Sequence, residues 1–84
     1  MKQSEIIDIF SSNLKAYRRF NGVTQTELSQ KLGISRAVIG SYEERRAFPC
    51  YEVLMVIASA FKTDVHSLVT KELPNQIVTR TLYT

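Results

Sequence analysis

One cysteine, one histidine, two prolines, three glycines and no tryptophan stand in this chain of 84 residues, and each scarcity excludes something. A lone Cys50 forms no internal disulfide, and with His66 as the single histidine the chain cannot supply a conventional four-ligand structural zinc site. So little glycine and proline leaves few turn-formers, which disfavours a many-stranded sandwich or barrel and favours helices. No apolar run approaches the ~20 residues that span a bilayer. The first residues, Met1 to Glu5, lead into no signal-type apolar stretch, because Asp8 interrupts it; a reducing cytoplasm is the expected home. No Ser, His and Asp stand at a spacing that favours a triad, and no glycine-rich phosphate loop is present. Glu43 and Glu44, adjacent on a helix, face different sides and cannot act as an acid–base pair. An enzyme is not expected, and neither is a cofactor or a metal.

What is present has ordinary globular composition, with 44% hydrophobic and 23% charged residues, which argues against disorder. A chain this short makes one domain that buries only roughly 60–65% of its unfolded surface, so pairing with a second copy would add useful stability. Its formal charge is +3. That alone only hints at an anionic partner.

Helical periodicity organises the chain. Residues 4–20 read as a first helix with Ser4 as its N-cap and Ile6, Phe10, Leu14 and Tyr17 as its apolar stripe, ended by Asn21 and Gly22. Thr24 and Glu27 form a capping box for a second helix carrying Leu28 and Leu32, which Gly33 stops. Ser35 caps a third, running to Glu44. Two such short helices cannot bury themselves and need a platform. After a loop closed by Pro49, the most apolar helix runs from Cys50 to Phe61, with Leu54, Ile57, Ala58 and Phe61 on one face. Asp64 caps a fifth carrying Val65, Leu68 and Val69. Beyond Thr70 the β-branched run at 77–83 reads as a strand. The division is thus a domain over 1–69 and an extension over 70–84.

Residues 25–44 carry most of the information. Leu28, Leu32, Ile34 and Ile39 fill the wedge between the second and third helices, Ser29 is small where they cross, and Gly33 permits the turn. Arg36, Ala37, Gly40, Ser41 and Glu44 fall on an outward stripe of small or hydrogen-bonding residues, which is what a helix needs to enter a major groove. Between Asn13 and Arg46 seven basic residues stand against three acids, a net +4 in a chain whose total is +3. The basic excess is localised.

With Leu14, Arg18, the block TQTELSQKLGIS, the block YEERRAFP and the helix LMVIASAF in this order, the chain resembles the Xre/Cro/C1 family of helix-turn-helix DNA-binding domains over about residues 10–69. The resemblance implies an all-α, five-helix lambda-repressor-like domain that binds double-stranded DNA, in general as a homodimer. It implies that Gln25 hydrogen-bonds a phosphate and braces the recognition helix, and that Arg36 and Ala37 read base edges. Ser41 stands one turn on, Ser35 caps the helix near a phosphate, and Arg46 contacts the backbone. Arg18 is expected to pair with Glu43 as a structural link. The family carries glycine where Arg45 stands here; either the loop differs or a phosphate contact by Arg45 offsets the strain. Gly40 offers no side chain but admits close approach to the groove wall.

Other polar residues read more plainly. Lys15, Arg19 and Lys31 are expected on solvated faces, and Tyr42 in the core with its hydroxyl at the surface. Cys50 is a helix-start residue with no redox task, and His66 a surface residue. The expected function is a sequence-specific transcriptional regulator of phage or mobile-element repressor type, its tail strand pairing with a twofold mate. The alternative is an antitoxin-type interaction module whose tail binds a partner protein.

Overall fold

The computed structural model describes residues 1–72, and these form five α-helices: α1 (Gln3–Phe20), α2 (Gln25–Leu32), α3 (Arg36–Glu43), α4 (Tyr51–Ala60) and α5 (Val65–Thr70). No strand occurs among the described residues. The strand expected at 77–83 lies outside them, as does most of the 70–84 extension.

Local chemistry sets the helix ends. The Thr24 hydroxyl accepts from the Glu27 N–H at 3.1 Å while the Glu27 carboxylate accepts from the Thr24 N–H at 3.0 Å, so two donors at the start of α2 are satisfied reciprocally. Hydrogen bonding to Thr24 holds the Glu27 carboxyl below its ordinary range. Ser35 accepts from Val38 at the start of α3, and Asp64 from Ser67 at the start of α5. Gly33 ends α2 at φ +69°, a left-handed backbone that glycine adopts without a Cβ clash. The start of α1 differs from the sequence reading. Ser4 lies inside the first turn, and Lys2 is the flanking residue, its N–H donating to Glu5 at 3.2 Å. An acid at the third helical position closes the end as well as a serine cap would.

Phe10, Leu14, Leu28, Ile39, Ile57 and Leu68 are fully buried, with Leu32, Tyr42, Leu54, Ala58 and Phe61 around them. Every helix contributes to this one core. Aromatic rings brace two of its edges. Phe10 meets Tyr42 and Phe48 edge-on at 5.8 and 5.3 Å, which pins the loop after α3 onto α1. Tyr17 stacks on Phe61 at 3.7 Å and ties α1 to the end of α4.

Two buried polar residues on α1 were not singled out by the apolar pattern. Ser11 donates to the Tyr42 carbonyl at 2.7 Å. Asn13 donates to the carbonyls of Leu68 and Lys71, each at 2.7 Å, and so supplies partners to the open C-terminal end of α5. Replacing Asn13 by alanine should cost about 1–3 kcal/mol, because those carbonyls are left without their buried donor. Chemical denaturation measures the loss, and hydrogen exchange should show it concentrated in α5.

Candidate nucleic-acid interface

The surface expected to face DNA is assembled around one ion pair. Arg18 of α1 donates through Nε and Nη2 to the two oxygens of Glu43 at 2.7 and 2.9 Å, and through Nη1 to the Val23 carbonyl at 3.3 Å. The Glu43 side chain is only 3% exposed and that of Arg18 16%. Gln25, first residue of α2, donates its amide to Glu43 Oε1 at 3.2 Å. One carboxylate at the end of α3 therefore fixes α1, the entry to α2 and the turn before it. Burial pushes the Glu43 carboxyl up, but hydrogen bonds from Arg18 and Gln25, with the charges of Arg18 and Lys15, outweigh it and leave the group below its ordinary value. The expected structural pairing of Arg18 with Glu43 is present.

The ion pair orients the outer residues. Arg36 and Ala37 are exposed at the first turn of α3, and Ser41 is half-buried one turn on, its hydroxyl donating to the Ala37 carbonyl at 3.1 Å. Ser35 is exposed and caps α3. Gly40 departs from the expected outward position. It is buried, and a Cβ built there would meet the Gln25 amide at 3.8–3.9 Å and the Glu44 carboxylate at 3.9 Å. Periodicity put Gly40 on the open stripe, but the Gln25 side chain, drawn in by Glu43, lies beside it. Gln25, Arg36, Ala37 and Ser41 are thus parts of one unit formed by α2 and α3, with Gly40 beneath the Gln25 side chain.

Arg45 and Arg46 follow in the loop. Arg45 takes φ +62°, so the loop keeps the shape that favours glycine, at a strain of about 1 kcal/mol or more. Its guanidinium lies 3.2 Å from Asp8 of α1, with both side chains more than half exposed. Such a pair contributes at most about 1 kcal/mol. Arg46 pairs with Glu44 at 3.1 Å, also in solvent. Lys31 points elsewhere: its ammonium meets the Tyr17 hydroxyl at 3.3 Å and stands 5.6 Å from that ring. Tyr42 is buried, and burial, with a smaller contribution from Cys50, pushes its phenol up. Cys50 stands at the start of α4, as expected, and is exposed; His66 is exposed, as expected. Among the described residues no cluster of His, Cys, Asp and Glu is built to hold a metal, and no helix is long and apolar enough to cross a membrane.

The sequence that folds into these two short helices on a three-helix platform matches known proteins. The family model described as Helix-turn-helix matches residues 14–68, from the middle of α1 into α5. Control protein C.SmaI of Serratia marcescens is 31% identical over 68 residues, covering 81% of this chain and 81% of that protein. No solved structure matches. The chain belongs to the helix-turn-helix family of Xre/Cro/C1 type, a family of DNA-binding transcriptional regulators rather than enzymes.

The ion pair makes a signed prediction. Its folded-state pKa being lowered, Glu43 contributes stability that is present above the ordinary value of 4.5 and lost as pH falls through the folded value. Arg18→Ala should cost about 3–5 kcal/mol near neutral pH, because a buried carboxylate loses its charge partner. Without Arg18 burial pushes the carboxyl up, so the difference from wild type should begin to narrow as pH falls toward 4.5 and narrow further below it. Urea denaturation of both proteins across that range checks it.

Proposed function

We propose that the chain is a sequence-specific regulator that sets promoter access by occupying an operator, with α3 lying in the major groove. The observation that carries this reading is the exposure of Arg36 and Ala37 at the start of α3, on a helix to which the Gln25 side chain is tied through Glu43. Helix-turn-helix proteins place the N-terminal residues of their second helix against base edges. Arg36 is the residue for direct readout, because arginine reaches guanine O6 and N7 with two hydrogen bonds. Ala37 offers a methyl to a thymine methyl. Ser41, Ser35 and Gln25 set the register, the last two on phosphates, while Gly40 lies beneath the Gln25 side chain and takes no part in the contact. Arg45 and Arg46 face the backbone. With so few base-reading side chains, water and DNA shape carry part of the specificity. The name of the relative, a control protein, supports a regulatory role. The phage or mobile-element repressor type is the kind of regulator this would be.

The reading includes a cytoplasmic homodimer, since a half-site reader gains affinity and palindromic specificity by twofold pairing. The extension over 70–84 is its clasp, with the antitoxin-type docking of a partner protein as the alternative use of the same residues.

Selection of bound duplexes from a random pool tests both points, run with the full chain and with a version ending at Thr70. A palindromic consensus that needs the extension supports the dimeric regulator; the absence of any enriched sequence overturns it. Arg36→Ala should lose about 1–3 kcal/mol on the selected site and relax one base position. Arg46→Ala should weaken all duplexes alike and lower the salt slope by about one. An Arg36→Ala protein with full selectivity removes the readout assignment.

A further inference from the structure

We propose that a cleft between α1 and the loop after α3 is a second DNA anchorage, where Lys15, Arg19 and Arg45 take a backbone phosphate. Asp8 is the carboxylate that Arg45 leaves to do so. The inference rests on the DNA-binding reading and adds a contact outside the α2–α3 unit.

The cleft holds about 370 Å³ and is lined by Ser11, Ser12, Lys15, Ala16, Arg19, Glu43 and Arg45. Three cations border it. Its one acid, Glu43, is hydrogen-bonded by Arg18 and Gln25, and although the Lys15 charge also acts on it, the three cations leave the wall with a net positive charge. Lys15 and Arg19, one helical turn apart, make no ion pair among the described residues. Lys31, by contrast, is taken up by Tyr17. A concave surface with unmatched positive charge attracts an anion more strongly than a flat one.

Arg45 supplies the second, independent observation. It stands at φ +62°, where glycine would be unstrained, and its pairing with Asp8 is too exposed to offset that strain with any margin. Lys62 shares this backbone, so the strain alone names no use; what sets Arg45 apart is that its side chain lines the basic cleft. The Asp8 pair holds the guanidinium at the cleft mouth, where the weakness of the contact makes it easy to exchange for a phosphate. The cleft is also placed for this. Glu43 forms part of its wall and at the same time holds Gln25 at the start of α2, so cleft and reading unit share one residue. A phosphate outside the bases contacted by α3 falls to the cleft, and its recognition is independent of sequence.

The test is binding of the operator duplex recovered by selection, and of a scrambled duplex, across a salt series. Asp8→Asn should tighten both about two- to fivefold by freeing Arg45. Glu52→Gln on α4 removes the same charge away from the cleft and should change binding by less than about twofold. Lys15→Gln with Arg19→Gln should weaken both duplexes about tenfold and lower the salt slope by about one. Arg45→Gly should melt at a higher temperature and yet bind both duplexes more weakly. If Asp8→Asn and Glu52→Gln behave alike and the double variant keeps its salt slope, the cleft is no DNA anchorage, although selective operator binding still stands. If the wild type binds neither duplex, the DNA reading itself falls, and this inference with it. Inorganic phosphate alone distinguishes the other source of the same chemistry. Thermal stabilisation of wild type that the double variant lacks, with unchanged duplex binding, makes the cleft a small-anion site and overturns the proposal.

Discussion

The two-pronged contact of Arg18 with Glu43 holds together everything that faces outward. A carboxylate with 3% of its side chain exposed would be costly if it stood alone; with Arg18 and Gln25 donating to it, burial becomes tolerable. The same three side chains come from α3, α1 and α2, and the Arg18 guanidinium also reaches the Val23 carbonyl in the turn between α1 and α2. A fixed angle between α2 and α3 follows from this network together with the wedge of Leu28, Leu32 and Ile39. The apolar wedge supplies stability without direction. The ion pair supplies direction, because two parallel hydrogen bonds from a planar guanidinium tolerate little rotation.

Basic charge divides into structural and free portions. Arg18 is consumed in the network, Lys31 is held over the Tyr17 ring, and Arg46 shares its charge with Glu44 in solvent. Arg36, Lys15 and Arg19 form no ion pair among the described residues, and Arg45 has only a weak, exposed one. A net charge of +3 therefore understates the local field around Lys15 and Arg19 on α1, Arg36 on the first turn of α3 and Arg45 in the loop after it. The thin base-reading stripe, one arginine and small residues, fits a protein that takes much of its affinity from the backbone.

Strain and packing meet in the loop after α3. Phe48 lies edge-on to Phe10 and Pro49 is buried, so both ends of the loop are fixed and its path is short. A left-handed residue is the way to turn in that space, and the chain uses an arginine there. A second left-handed position, Lys62 at φ +57°, turns the chain between α4 and α5 in the same manner. No glycine marks either place in the sequence. Here turn geometry is dictated by the helices on both sides rather than by the residue at the turn.

Much of this was readable from residue order. Capping chemistry is local: Thr24 with Glu27, Ser35 with Val38 and Asp64 with Ser67 need only neighbours three positions away, so their hydrogen bonds were foreseeable. Apolar spacing likewise marked Phe10, Leu14, Leu28, Ile39, Ile57 and Leu68, because burial on a helix follows its period. The pairing of Arg18 with Glu43 came only through family resemblance, since nothing in spacing brings residues 25 apart together. Tertiary structure alone decided the remainder. It buried Asn13 under α5 and Gly40 under Gln25, and it set Arg45 beside Asp8 and on the wall of a basic cleft. Those arrangements depend on how helices from distant parts of the chain face one another, and a polar residue carries no periodic mark of whether it will meet water or a carbonyl.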